Sequence, residues 1–280
     1  MKGIDHLVLC GRKLDKMRKE YAALGLTLTP PAEHPFGTRN SLVQLDQVFL
    51  ELLSVAQPEN IPEHRRGHFS FAAFNRDFLN SGEGLSMLVL DSNDVRKDVA
   101  QYRQHGLKTY EPFDFSRRAT LPGGEEVVVG FSLAFVSSPQ MPKCGFFCCQ
   151  QHAPQYFWQR DYQNHRNGAV TVLEVALVAE HPKGLRSFLE HFSGARAVPV
   201  HGGLRIATRR GKIAVLTPES FEHRYGLSGP ALSEGPRFAG YTIGLKDASH
   251  EPDLLGHPIE LFGAVIRFKT VPVAAGAERR

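Results

Sequence analysis

The sequence predicts an α+β fold built from a repeated strand–helix unit, and three observations predict it. A short apolar, β-branched run at Ile4-Asp5-His6-Leu7-Val8-Leu9 returns as Leu85-Ser86-Met87-Leu88-Val89-Leu90 and again as Val172-Leu173-Glu174-Val175-Ala176-Leu177. Superposing the runs puts His6, Met87 and Glu174 in register, 81 and 87 residues apart. Each run is followed within a few residues by a helical pattern, and such recurrence marks an internal structural repeat. With 280 residues the chain is long for one hydrophobic core and comfortable for two.

Taken in order, Gly3 to Cys10 reads as a buried strand. Leu14, Met17, Tyr21 and Leu24 recur at helical spacing between charges, so Leu14 to Leu24 reads as an amphipathic helix stopped by Gly25. Leu26 to Thr29 reads as a short strand ended by Pro30-Pro31. Leu42 to Leu45 and Val48 to Val55 form a hairpin across Asp46-Gln47, which completes a βαβββ unit with Glu51 in its last strand. A polar connection from Gln57 to Gly84 holds a short helix over Phe69 to Leu79. The second unit opens at Leu85, with a helix capped by Asp94 and ended by Gly106. After a loop come strands at Glu126 to Val136, interrupted near Gly130, and at Gly145 to Gln151. The polar stretch from Gln159 to Gly168 divides the chain into halves. The third unit has a strand at Val170 to Ala179, a helix from Leu185 to Phe192, and strands at Ala197 to Val200, Leu204 to Arg209 and Lys212 to Leu216. A fourth, degenerate copy keeps strands at Phe238 to Leu245 and Gly263 to Thr270, with a short helix between them. The expected organisation is residues 1–160, holding units at about 1–56 and 85–152, then 168–272, then a flexible tail at 273–280.

Hydrophobic content of 42% and charged content of 22% are those of an ordinary soluble protein. The net charge of +4 is mild, and the arginine pairs are scattered without interleaved aromatics, so no nucleic-acid partner is expected. No apolar run approaches the ~20 residues that span a bilayer, so no membrane partner is expected either. Met1-Lys2-Gly3 runs into a strand without a signal-peptide apolar region, which points to the cytoplasm. Cys10, Cys144, Cys148 and Cys149 contain no C-x-x-C pair, and adjacent Cys148 and Cys149 would face opposite sides of a strand. Reduced, buried thiols are the expectation rather than a disulfide framework or a structural zinc site. There is no P-loop, no dinucleotide fingerprint and no G-x-S-x-G elbow, so neither a nucleotide cofactor nor serine hydrolysis is expected.

The first unit, from Ile4-Asp5-His6-Leu7-Val8-Leu9 to Val48-Phe49-Leu50-Glu51-Leu52-Leu53, resembles the vicinal oxygen chelate superfamily. Gly37-Thr38-Arg39-Asn40 followed by Phe49-Leu50-Glu51-Leu52 is similar to its glyoxalase-like branch. That resemblance implies βαβββ modules pairing into cupped mixed β-sheets with helices packed outside, as in the glyoxalase, bleomycin-resistance and dioxygenase folds. Residues 168–272 would form a second, degenerate module pair. A divalent metal (Fe, Mn, Zn or Ni) would sit in the first cup, held from the first and last strands of each module. His6 and Glu51 match the two ligand positions of module one. Met87 stands where module two would supply its first ligand, and Phe146 to His152 offers no carboxylate for the second. His152 is the nearby candidate for completing a set with His6 and Glu51, since catalytic metals take about three protein ligands.

Two readings of His6 and Glu51 therefore stand. They are metal ligands, or they face each other in a metal-free cup as an acid/base couple, the carboxylate orienting the imidazole. Arg39 and Asn40, with His34, lie in a segment that can fold over the cup mouth. Arg39 could grip a carboxylate or phosphate there; the bland alternative is a surface arginine in a turn. The resemblance implies a small-molecule lyase, isomerase or dioxygenase, monomeric or homodimeric. The alternative is a non-catalytic binding or sequestration protein with a metal-free cup.

Overall fold

A computed structural model describes residues 1–120, 123–246 and 252–271. The expected tail at 273–280 lies outside the described residues. The first unit runs β1 (Ile4–Cys10), α1 (Leu14–Ala23), β2 (Ala32–Glu33), β3 (Thr38–Gln44) and β4 (Phe49–Val55). A connection carrying α2 (Phe71–Phe78) leads to β5 (Gly84–Asp91), α3 (Val95–Gln104), β6 (Lys108–Thr109), β7 (Phe113–Thr120), β8 (Glu126–Ser137) and β9 (Gly145–Gln151). After α4 (Pro154–Phe157) come β10 (Ala169–Val178), α5 (Arg186–Ser193), β11 (Ala197–Val200), β12 (Gly203–Ala207) and β13 (Lys212–Leu216). The chain continues through α6 (Pro218–Tyr225), β14 (Arg237–Leu245), β15 (Ile259–Leu261) and β16 (Ala264–Thr270).

The fold is α+β with two mixed sheets. In each, the first and last strands of a unit pair in parallel, β1 with β4, β5 with β9, β10 with β13 and β14 with β16. Units then join through antiparallel pairs of their first strands, β1 with β5 and β10 with β14. Alternation along these strands divides the side chains between two faces. Leu7, Leu9, Leu88 and Leu90 enter a core shared with Val175 and Leu177 of the second sheet, in which α1, α3 and α5 also pack. Val8, Met87, Val89 and Phe147 face the opposite way, into the first cup. Cys148 and Cys149 divide between the two faces as their adjacency requires.

The two sheets are joined by more than apolar packing. The Tyr21 and Tyr241 hydroxyls, fully buried, meet at 2.7 Å across the interface. The Lys2 and Ile4 amides donate to the carbonyls of Ser193 and Arg210, and the Arg209 amide returns to Lys2. Asp91 on β5 pairs with Arg209 and Arg210. Among the described residues no helix is long and apolar enough to cross a membrane.

Several elements differ from expectation. Leu26 to Thr29 forms no strand; Thr29 gives one backbone bond to Leu42, and the prolines that follow cannot donate. β8 runs through Gly130 without interruption. The loop expected before it contains β7, an eight-residue antiparallel partner of β8. α6 was not foreseen, although Thr217 caps it, Pro218 opens it and Gly226 ends it in the left-handed region. It places Phe221 and Tyr225 against Ala176, Ala214 and Val265 and so plugs the cup of the second sheet.

Candidate functional site

The first cup keeps an interior. Its chamber holds about 50 Å3 and is lined by His6, His34, Asn40, Glu51, Arg117 and a wall of phenylalanines with Leu42, Leu133 and Cys149. His6 reaches it because β1 alternates, with Val8 on the same face. Glu51 lies beside Val8 in the parallel β1–β4 register, two residue pairs along from His6 opposite Phe49. His6 and Glu51 are both about 95% buried.

The polar groups form a chain across the cup floor. His6 Nδ1 donates to Asp5 Oδ1 at 2.6 Å, and the other Asp5 oxygen accepts from Gln151 Nε2 at 3.2 Å. With Nδ1 committed, His6 turns Nε2 toward Glu51 Oε2, 3.7 Å away. Phe49 stacks on the imidazole at 4.2 Å and Phe147 meets it edge-on at 5.5 Å, which fixes the ring plane. Glu51 Oε1 accepts from Asn40 Nδ2 at 2.7 Å. The second Asn40 N–H points at His34 Nε2, 3.3 Å away, and His34 Nδ1 then donates to Thr38 Oγ1 at 2.8 Å. This pattern needs neutral His34 with its proton on Nδ1.

Charge is expensive in this chamber. Burial pushes the Glu51 carboxyl above its usual range, against the opposing pull of His6, Asn40 and Arg117. Burial, with Arg117 nearby, takes His34 down to about 3. Burial first, then Asp5 and Glu51, hold the Cys149 thiol well above its usual range, so it is neither a thiolate ligand nor an activated nucleophile. Two buried side-chain oxygens lack a hydrogen-bond partner among the described residues, Asn40 Oδ1 and Gln151 Oε1. They belong to the two amides that hold Glu51 and Asp5.

The expected residues divide. His6, Glu51 and Asn40 meet in the cup. Arg39 does not: neighbours on a strand face opposite sides, and Arg39 pairs with Asp15 on α1 at 3.1 Å. His152 also lies on the far face, where its Nε2 meets Ser132 Oγ at 2.8 Å and Ser132 donates to Asp114. Asp5, His34 and Arg117 are the groups that were not assigned to the site. Arg117 is carried in by β7, where Phe113-Asp114-Phe115-Ser116-Arg117 alternates with period two. That alternation was the available signal.

The donor set does not fit a resident catalytic metal. Module two turns Met87, Val89, Phe147 and a neutral Cys149 to the cup, so His6 and Glu51 have no complement there. Among the described residues no three His, Cys, Asp or Glu side chains gather as metal ligands.

Comparison with known proteins agrees with this architecture. The model of a family described as glyoxalase-like domain matches residues 4–192, and the chain belongs to that family, within the vicinal oxygen chelate superfamily. A solved structure of a hypothetical protein from Staphylococcus aureus is similar over 97% of this chain and 100% of that one, at 14% identity and a TM-score of 0.76. A xylose isomerase-like TIM barrel/4-hydroxyphenylpyruvate dioxygenase fusion protein aligns with 88% of this chain and 37% of its own, at 13% identity and a TM-score of 0.51. A variant of 4-hydroxymandelate synthase from Streptomyces coelicolor covers 88% of this chain and 71% of its own, at 12% identity and a TM-score of 0.49. No curated protein matches the sequence. The superfamily includes enzymes, and the first two of these structural likenesses describe the fold.

Proposed function

We propose that this protein is a glyoxalase-like small-molecule enzyme that moves protons in its first cup, an isomerase or lyase acting on a carbon next to a carbonyl. The observation that carries the reading is the Asp5–His6 pair at 2.6 Å with His6 Nε2 turned to buried Glu51 at 3.7 Å. Asp5 fixes the tautomer that leaves Nε2 as the base, in the manner of an oriented histidine. Glu51, whose carboxyl burial pushes above its usual range, is the acid on the other side of the same gap. His6 would take the proton from carbon, the electron pair of the broken C–H bond would move onto the carbonyl oxygen, and Glu51 would return a proton to carbon or oxygen. Asn40 holds Glu51 in place and offers its unpartnered oxygen to a hydroxyl or N–H of the ligand. Every group comes from one chain, so a monomer or a homodimer would serve.

The test is deuterium uptake from D2O into a panel of small ketones, aldehydes and 2-oxo acids, followed by NMR. Wild-type protein should exchange at least one of them, with His6→Ala, Asp5→Asn and Glu51→Gln slower by about 100-fold or more. Equal exchange by His6→Ala and wild type would refute the assignment. The metal-dependent form of the chemistry is tested separately by reconstitution with Fe(II), Mn(II), Ni(II) and Zn(II). Stoichiometric metal that His6→Ala abolishes would overturn the metal-free reading.

A second reading, a binding or sequestration protein, is favoured by the apolar residues that module two turns to the cup. It requires tight ligand binding with no exchange in any variant.

A further inference from the structure

Arg117 belongs to two cavities at once. On one side is the chamber that holds His6 and Glu51. On the other is an open groove of about 300 Å3, whose walls include Gln44, Arg118, Tyr156, Gln159 and Tyr162, with Glu33 on its module-one rim. Leu42, Arg117 and Phe157 line both and form the partition between them. The partition is firmly mounted on one side: Phe157 accepts from Gln44 Nε2 at 2.7 Å, and the Gln159 amide donates to Gln44 Oε1 at 3.0 Å.

The two cavities ask for different chemistry. The chamber has room for about three or four water-sized groups, and its wall is mostly aromatic. The groove reaches the lower end of the ~300–1,000 Å3 usual for small-molecule sites and mixes polar with aromatic side chains. Between them stands a guanidinium that makes no ion pair or hydrogen bond among the described residues. Arg117 is half-buried, feels Glu51 electrostatically, and carries donors whose geometry matches an oxyanion. Arg118 follows it on the groove side and makes no ion pair among the described residues.

We infer that the ligand of this cup is a bipartite organic anion. A compact uncharged head of a few heavy atoms enters the chamber, a carboxylate or phosphate stays at Arg117 in the neck, and the remaining body lies along the groove toward Arg118, Tyr156 and Gln159. Arg117 thus takes the anion-holding part that the sequence suggested for Arg39. This rests on the cup being the substrate site, and it narrows the substrate to small acids or phosphate esters with a short enolisable end.

The test is NMR titration of the full chain with butyrate, butyl phosphate and neutral butyramide, repeated on Arg117→Gln, Arg117→Lys and Arg118→Gln. At least one anion should bind about tenfold or more tightly than butyramide, as expected for a charge-assisted contact. Arg117→Gln should remove that preference, Arg117→Lys should keep part of it, and Arg118→Gln should reduce it less. Tighter butyl phosphate identifies the oxyanion as phosphate, and tighter butyrate as carboxylate. Butyramide binding as well as both anions, no binding by any of the three, or a preference that survives in Arg117→Gln overturns the inference. The wild-type comparison of anion with amide stands even if Arg117→Gln fails to fold. Proton exchange is not read in this titration, so loss of the acid–base reading would leave the anion preference intact, and the reverse holds equally.

Discussion

Replacing His34 by Gln tests the electrostatics of the cup without touching the proposed base. In the folded protein His34 is held neutral, with its ordinary value of 6.5 lowered to about 3. The cause is burial, with the Arg117 charge adding to it; Asn40 also points an N–H at Nε2, where a second ring proton would have to sit. A histidine whose folded value is depressed contributes stability that is present above 6.5 and is lost as pH falls toward 3, because the unfolded chain binds the extra proton. Each pH unit in that window is worth about 1.4 kcal/mol, and the full window about 5 kcal/mol as an upper figure. Gln retains a donor for Thr38 and an acceptor for Asn40 but does not titrate. The stability gap between wild type and His34→Gln should therefore shift against wild type by about 2.7 kcal/mol between pH 6.5 and 4.5. His165, whose value burial also lowers, is present in both proteins and cancels from the difference. Urea denaturation followed by circular dichroism at four pH values gives the gap directly. A gap that does not change with pH would refute the assignment of a buried neutral His34.

Glu51→Gln should behave with the opposite sign: a carboxyl raised by burial contributes stability present below 4.5 and lost as pH rises through its folded value. The variant should therefore gain on wild type as pH rises above 4.5 in the same denaturation series. Tyr21→Phe and Tyr241→Phe should each cost about 1–3 kcal/mol by stranding the partner hydroxyl, while the double variant should cost less than the sum, as a double-mutant cycle would show. Arg224→Ala should destabilise by about 1.5–3 kcal/mol, read as a lower urea midpoint, because buried Glu174 would retain only the Tyr225 hydroxyl at 3.3 Å.

The repeat itself was legible because the first strands of the first three units are largely buried on both faces and so read as apolar runs. His6 and Glu51 came from the resemblance to the superfamily, and the strand pattern is consistent with them. A charged or polar residue inside such a run stands out, and its neighbours fix the face. Arg39 and His152 were placed by proximity in sequence, and strand parity puts both on the far side of the sheet. Parity would have chosen Asn40 over Arg39. Arg117 went unassigned because the charges around it made β7 look like a loop, although its phenylalanines alternate. Asp5 lies in the first-strand run next to His6, and its placement is subtler. A bulge in the β1–β5 pairing between Ile4 and His6 accompanies the close approach of two adjacent side chains, which an ideal strand would separate. The sequence places His34 in the segment over the cup mouth but not its burial, which depends on rings of Phe36, Phe71 and Phe115 that are distant from one another in the chain.

The backbone bonds from Lys2 and Ile4 to Ser193 and Arg210 also set a timetable. A ribosome emits the segment beside His6 first and its partners some 200 residues later, on the order of ten to forty seconds at ordinary elongation rates. During that interval β1 can find β4 and β5, and Gly3 can already exchange bonds with Asp91, but the bonds from Lys2 and Ile4 to the second sheet must wait. The histidine proposed as the base can therefore meet Asp5, Phe49, Glu51 and Phe147 before the second sheet exists, and only the anchoring of its strand to that sheet is a late event in the life of the nascent chain.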